Sequence, residues 1–391
     1  MRITKDQENE VILLTQDIVR QPGISGKEDE TAKIIAQKME QLKYDDITVD
    51  DYGSVIGVIK GPKPGPTLLF DGHIDVVPVG EYDAWEHDPY KAVLKDGIIW
   101  GRGTADMKGA VAAMVCAASY VNRQDILGTI VISCSVAEES SMGQALFHIL
   151  NSHPADAVLI TEGTNLKLGI SEKGRAAVEM VTTGRVVHDS RPELGDNAVY
   201  RMMEAISRIR NIPLRKDPDM GTEVIELSDI ISSPYPGNGF VPGSCKTSWI
   251  CRLLPGETKD SFFQRWMEAL KGVDNVQVKY AVSRKKCYTG EELTKFDFFP
   301  AWVSKKNIPF RKQVEKAILD SGINLEYYSV PYGTNGDLSG GLMGIPTLVL
   351  GPGDIYECLI HQPNEHIYIK DIIKAVEIYC QVIELNGHFT S

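Results

Sequence analysis

At 391 residues the chain is too long for one ordinary hydrophobic core, so it is expected to form two domains. A net charge of −12 excludes the basic footprint that nucleic-acid binding requires, while a local site for a small substrate can still oppose the global sign. Hydrophobic residues at 43% and charged residues at 24% suit a globular protein in water, and no apolar run approaches the ~20 residues that span a bilayer. The seven cysteines form no CxxC pair, and Cys116 and Cys134 lie in apolar segments as small buried hydrophobes. That usage fits a reducing cytoplasm, and the polar N-terminus lacks the apolar stretch of a signal peptide.

Residues 6–20 read as a helix, with Val11, Leu14 and Ile18 on one face. Pro22-Gly23 ends it. Ser25-Gly-Lys-Glu28 has the form of a capping box opening a second helix striped by Ala32, Ile35, Met39 and Leu42. Strands are expected at 47–51 and 55–60, a rigid surface turn at 61–66, and a short central strand at 67–70. The Ala-rich run 110–119 has almost no polar face and reads as a buried helix. Strands at 128–136 and 157–160, with a helix at 143–150 between them, continue an α/β alternation. Beyond Arg175 the order becomes β-α-β-β-α-β: 176–182, 197–210, 223–231, 244–253, 261–270 and 276–282, the split pattern of a ferredoxin-like domain. The α/β pattern resumes with a helix at 311–321, a strand at 347–350 and a helix at 372–385. The expected domains are therefore 1–175 with 291–391, and an insert at 176–290.

Acidic residues and histidines follow the apolar strands. His73 and Asp75 follow 67–70, Asp106 follows Gly101-Arg-Gly-Thr-Ala, Glu138-Glu139 follow 128–136, Glu162 follows 157–160, and His361 lies in a late loop. Strand C-terminal ends are where open α/β sheets build sites. His73 offers an imidazole nitrogen to a metal, and Asp75, two residues on, can hold that ring. Asp106 has two oxygens with which to bridge two ions, or could simply cap the helix after it. Adjacent Glu138 and Glu139 point apart, so that one can ligate while the other serves as a base. Two histidines with carboxylates suit Zn²⁺, with Mn²⁺ and Co²⁺ as alternatives. Singly each signal is weak; their joint placement after separate strands carries the reading.

Asp71-Gly-His73-Ile-Asp75-Val-Val-Pro78, Trp100-Gly-Arg-Gly-Thr-Ala-Asp106-Met-Lys-Gly109, Glu138-Glu139 and His361-Gln-Pro-Asn-Glu365 resemble the M20 metallopeptidase/deacylase family across essentially the whole chain. That family includes aminoacylases, glutamate-type carboxypeptidases and succinyl-diaminopimelate desuccinylase. Leu227-Ser-Asp-Ile-Ile-Ser-Ser-Pro-Tyr-Pro-Gly237, Tyr288-Thr-Gly-Glu291, Phe298-Phe-Pro-Ala-Trp302 and Gly333-Thr-Asn-Gly336 resemble its selenium-metabolism-linked hydrolase subgroup. The resemblance implies an αβα zinc-peptidase-like catalytic domain with a mostly parallel sheet, and an inserted ferredoxin-like lid through which two copies dimerise. It implies that Asp106 bridges two divalent ions, His73 and Glu162 complete one site, Glu139 and His361 complete the other, and Glu138 is the general base. It makes Asp75 a support for His73 and the peptide after Asp106 cis. His188, in Val187-His188-Asp-Ser-Arg-Pro192, would stabilise an oxyanion in the partner subunit's site, although Asp189 and Arg191 are bulkier than the family's usual residues. Arg252 would meet a substrate carboxylate, and Gly353 would let the backbone approach the substrate. The implied activity is hydrolysis of an amide C–N bond in a small carboxylate-bearing substrate, a dipeptide or an N-acyl amino acid. The subgroup raises a ureido or carbamoyl substrate as the alternative. A catalytically silent binding paralogue would have lost the base or a ligand, and all are present.

Overall fold

The computed structural model describes residues 2–294 and 296–387. The chain divides into two compact units. The first comprises the chain up to Glu172, Ser283–Lys295 and the chain from Val303 onward; the second comprises Lys173–Val282 and Phe296–Trp302. The two units thus interleave in sequence more than a single insert at 176–290 requires.

In the first unit, a central sheet runs in the order Asp46–Val49, Val55–Lys60, Leu127–Ser135, Lys63–His73, Ala157–Ile160, Thr347–Val349, Leu168–Glu172. The middle pairings, Lys63–His73 with Leu127–Ser135 and with Ala157–Ile160, and Thr347–Val349 with Ala157–Ile160, are parallel. Leu68–Phe70, Ile130–Ile132, Ala157–Ile160 and Leu348–Val349 are buried, as expected of strands covered on both faces. Helix Gly109–Tyr120 packs on Lys63–His73 and Leu127–Ser135, and against helices Lys5–Val19 and Ile369–Glu384. Its residues from Gly109 to Ala118 are all buried. Alanine supplies high helix propensity with little bulk, so neighbouring helices can approach closely on every side. This is the expected mixed α/β architecture with a mostly parallel sheet.

Two local expectations are corrected. The stretch 61–66 is not a turn, because strand Lys63–His73 already begins within it. Lys63 pairs with Leu127, the ladder resumes at Thr67, and a Cβ on Gly65 would come within 2.7 Å of the Gly128 nitrogen. The prolines at 64 and 66 donate no hydrogen bond, which is why the pairing is interrupted there. The capping box at Ser25–Glu28 does not form either: helix Asp29–Gln41 has Glu28 as its N-cap, with no side-chain bond. A capping box does open the first helix, between Thr4 and Gln7.

The second unit carries an antiparallel sheet ordered Val224–Ser233, Ser244–Leu253, Gly174–Thr183, Val276–Tyr280. Helices Ala198–Arg210 and Lys259–Ala269 complete the β-α-β-β-α-β succession. Its core gathers Met180, Met202, Trp249, Phe262 and Trp266, with the two tryptophan rings edge to face at 5.4 Å. Among the described residues no helix is long and apolar enough to cross a membrane.

Candidate metal centre

Parallel register aligns the ends of Lys63–His73 and Leu127–Ser135, with His73 opposite Ser135. Gly72 makes the approach possible: a Cβ there would meet Thr161 Oγ1 at 2.9 Å and Met107 Cε at 3.0 Å. Just past Ser135, Ala137 turns left-handed at φ 54° and starts the short helix Glu138–Ser141. The loop presenting the last histidine is also twisted, with φ of 54° at Leu359, 63° at His361 and 66° at Asn364. Non-glycine residues adopt that region at a cost that packing must offset, and such outliers concentrate at sites.

The first unit brings His73, Asp75, Asp106, Glu138, Glu139, Glu162 and His361 together. Asp106 stands in the middle. Its Oδ1 is 3.0 Å from His73 Nε2 and its Oδ2 is 3.0 Å from His361 Nε2. His73 Nε2 is also 3.3 Å from Glu162 Oε1, and His361 Nε2 is 3.1 Å from Glu139 Oε1. One donor atom each from His73, Asp106 and Glu139 lies within 4.8 Å of the others. His73 Nδ1 lies 2.9 Å from the Asp75 carbonyl, which can only accept. The ring proton therefore sits on Nδ1, and in the neutral imidazole Nε2 is left with a lone pair aimed at the acidic cluster. The Asp106–Met107 peptide is cis.

Asp75, fully buried, accepts from the Glu138 amide at 2.9 Å, the Glu139 amide at 3.2 Å and Ser25 Oγ at 2.5 Å. Asp75 thus supports His73 through its carbonyl and both glutamates through its carboxylate. Glu28 accepts the Ala137 amide at 3.1 Å. Ser25 and Glu28, whose spacing resembles a helix cap, serve the cluster instead. Only tertiary contacts reveal that role, because their partners lie 50 and 109 residues away.

The electrostatics call for added positive charge. Burial alone would lower the pKa of His73, but Glu162, Asp106 and Asp75 outweigh it and hold the imidazole well above its ordinary value. Hydrogen bonds to Asp106 and Glu139 raise His361 to about 10. Burial raises Glu138 well above the usual carboxylate range, and Glu139, Glu162 and Asp75 add to the effect while His73 opposes it. Burial and Asp106 lift Glu139 to about 7 against the hydrogen bond from His361. Burial is outweighed at Asp106 by the two histidines, which keep it well below the ordinary range. Oε1 of Glu138 is buried without a hydrogen-bond partner. An anionic set of imidazole and carboxylate donors, mostly buried with His361 at its exposed edge, fits divalent cations bound through N and O.

Gly353, at φ 90°, lies beside the Asp106 loop, where an added Cβ would be 3.4 Å from Ala105 Cβ. His188 and Arg252 belong to the second unit. His188 is exposed, with Nδ1 2.8 Å from Ser190 Oγ and 3.1 Å from Asp189 Oδ1. Arg252 has a buried Nη1 without a hydrogen-bond partner.

Comparison with known proteins completes the assignment. Escherichia coli (strain K12) YgeY, named as an uncharacterized protein, is 27% identical over 390 residues, covering 97% of this chain and 94% of that protein. Succinyl-diaminopimelate desuccinylase 2 of Ruegeria sp. (strain TM1040) is 28% identical over 257 residues, 61% of this chain and 64% of that one. The crystal structure of Bacillus subtilis YXEP, described as a dinuclear metal binding peptidase, superposes with a TM-score of 0.73 at 16% identity, covering 99% of this chain and 100% of that chain. The chain is a hydrolase of mixed α/β architecture. It belongs to peptidase family M20/M25/M40, whose model matches residues 69–385.

Glu28 provides a test of how the cluster is braced. It is fully buried, and burial with the nearby charge of Asp75 raises its carboxyl to about 7; Lys108 also faces it and is pushed down to about 7 by burial. A carboxyl with a raised folded pKa costs no stability at low pH and costs progressively more as pH rises from about 4.5 to about 7. Glu28→Gln is expected to gain up to about 3 kcal/mol on wild type across that window. Denaturant titrations of both proteins at pH 5 and pH 8 check this; a pH-independent difference would refute it.

Proposed function

We propose that this hydrolase cleaves an amide C–N bond in a small substrate bearing a carboxylate, either a dipeptide or an N-acyl amino acid. The observation that carries the reading is Asp106, whose two oxygens each face a different histidine at 3.0 Å. Asp106 with His73 and Glu162 would hold one divalent ion, and Asp106 with Glu139 and His361 the other, Zn²⁺ being the ion this donor set suits best. Such a pair supplies acidification of water and polarisation of the substrate carbonyl. Glu138 is the proton carrier. Its buried, unpartnered Oε1 takes a proton from the attacking water as the C–O bond forms, and returns it to the nitrogen as the C–N bond breaks. Asp75 holds His73 and the amides of both glutamates in register.

Arg252 would take the substrate carboxylate, an assignment supported by its buried and unpaired Nη1. Gly353 would admit the substrate beside the main chain. His188 would donate to the developing oxyanion in a second copy of the chain. Dimerisation through the second unit is supported by its edge strand Val224–Ser233, which exposes Ile230 and Ile231, and by helix Ala198–Arg210, which exposes Tyr200 and Met203. The strings 227–237 and 333–336 keep the selenium-metabolism-linked subgroup, and a ureido or carbamoyl substrate, as the second reading; adding carbamoyl compounds to the substrate panel separates the two.

Glu138→Gln is expected to bind metal as wild type does and to lose about 10²- to 10⁴-fold in kcat on the best acyl-amino acid or dipeptide. Normal turnover by this variant would sink the mechanism. Arg252→Ala should lower kcat/KM by about 10- to 100-fold for carboxylate-bearing substrates and far less for their C-terminal amides; equal losses on both would remove Arg252 from substrate recognition. Mixing Glu138→Ala with His188→Ala subunits, each inactive alone, should restore part of the activity, and no restoration under exchange conditions argues against a shared site.

A further inference from the structure

Glu365 is fully buried and lies outside the donor set. It ends the loop that carries His361, four residues downstream, and its carbonyl accepts the Gly101 amide at 2.9 Å. Its side chain turns to the other half of the cluster. Oε1 accepts the Ala105 amide at 3.1 Å and the Asp106 amide at 3.2 Å. Oε2 takes Nη1 of Arg102, itself buried, whose guanidinium stands 5.2 Å from the centroid of the Trp85 ring. The same loop is pinned one residue earlier, where Asn364 Oδ1 accepts the Glu86 amide at 2.7 Å.

A carboxylate taken out of water costs several kcal/mol unless charge and hydrogen bonds offset it. Here Arg102 and two consecutive amides offset it. The backbone of Glu365 belongs to the His361 loop and its carboxylate belongs to the Asp106 turn, so one residue fixes the separation between Asp106 Oδ2 and His361 Nε2. Asp106 is common to both sites, and His73 is held separately by the Asp75 carbonyl, 2.9 Å from its Nδ1, so among the other donors only His361 sits on the loop that Glu365 ends.

We propose that Glu365 is a positioning residue that sets the affinity for the cation held by Asp106, Glu139 and His361, while leaving the cation held by His73, Asp106 and Glu162 nearly unaffected. This rests on the two-cation reading above. Metal donors must sit within about 0.2 Å of their distances, and loss of a supporting partner typically weakens metal binding about 10- to 100-fold. Glu365 does not touch substrate in this assignment and moves no proton.

The test is calorimetric titration of metal-free full-length protein with Co²⁺, followed in parallel by Co²⁺ visible absorption, for wild type and Glu365→Gln. Thermal unfolding of the metal-free forms confirms folding. Wild type is expected to bind two equivalents. In Glu365→Gln one equivalent weakens about 10- to 100-fold and the other changes less than about 3-fold. Glu365→Asp keeps the charge beside Arg102 but withdraws from the two amides, and should show the same selective loss; it stands in if Glu365→Gln does not fold. Arg102→Lys keeps a cation at Oε2 and should stay closer to wild type. Equal weakening of both equivalents, or no weakening of either, overturns the proposal. Wild type that binds fewer than two equivalents overturns the two-cation reading instead, so the two failures are distinguishable.

Discussion

Five carboxylates crowd one end of the central sheet, from Asp75, Asp106, Glu138, Glu139 and Glu162, with two imidazoles among them. Their mutual repulsion in a buried setting is the constraint to which the surrounding structure answers. Burial and that repulsion push Glu138 and Glu139 upward, attraction to the carboxylates pulls both histidines upward, and Asp106, flanked by imidazole on either side, goes the other way. Amides and hydroxyls meet part of the demand, at Asp75 above all. The remainder calls for cations, and His73, with its Nδ1 proton on the Asp75 carbonyl, presents Nε2 to the cluster.

Neighbouring polar groups extend the same logic away from the cluster. Asp71, fully buried, accepts from Ser133 Oγ at 2.6 Å and Asn335 Nδ2 at 2.7 Å, and Asn335 Oδ1 in turn accepts the Gly143 amide at 2.7 Å. The segment carrying Glu138 and Glu139 is therefore held from both ends, by Asp75 at its start and Asn335 beyond its end. The end of Lys63–His73 contributes His73, the segment after Leu127–Ser135 contributes Glu138 and Glu139, and Asp75 fixes all three. Rigid parallel strands below and satisfied amides above keep the donors where folding leaves them.

Long periodic elements were legible in the sequence because their signal is local. The Ala-rich helix, the buried strands and the β-α-β-β-α-β order each show in a window of a dozen residues. His73, Glu138, Glu139 and Glu162, which the first unit gathers in one cluster, stand out in the sequence because they follow such strands, and Asp106 and His361 because their strings resemble a known family. What sequence reading missed is bonded at long range. Ser25 and Glu28 look like a helix cap, yet they bond Asp75 and Ala137. Glu365 is an unremarkable acid in a loop until its bonds to Ala105 and Asp106 are seen. Strand Leu168–Glu172 mixes glycine, serine and charge, Tyr327–Val330 is only four residues long, and their parallel pairing joins them across more than 150 residues. The interleaved unit boundary has the same origin, since Phe298 and Phe299 pair with Ala176 and Arg175 across more than a hundred residues of chain.

The link between Ser25 and Asp75 sets the size of the smallest piece of this protein that can be complete. Every proposed metal donor lies between His73 and His361, so a fragment starting near residue 63 would carry the full inventory of them. It would still lack the hydroxyl on Asp75, the carboxylate on the Ala137 amide, and the Gly23 carbonyl that receives the Val76 amide at 3.1 Å. It would also lose Val55–Lys60, which pairs with Leu127–Ser135, and Asp46–Val49 at the edge beyond it. The N-terminal sixty residues are thus structural partners of the chemistry, and donor motifs alone do not delimit the working enzyme.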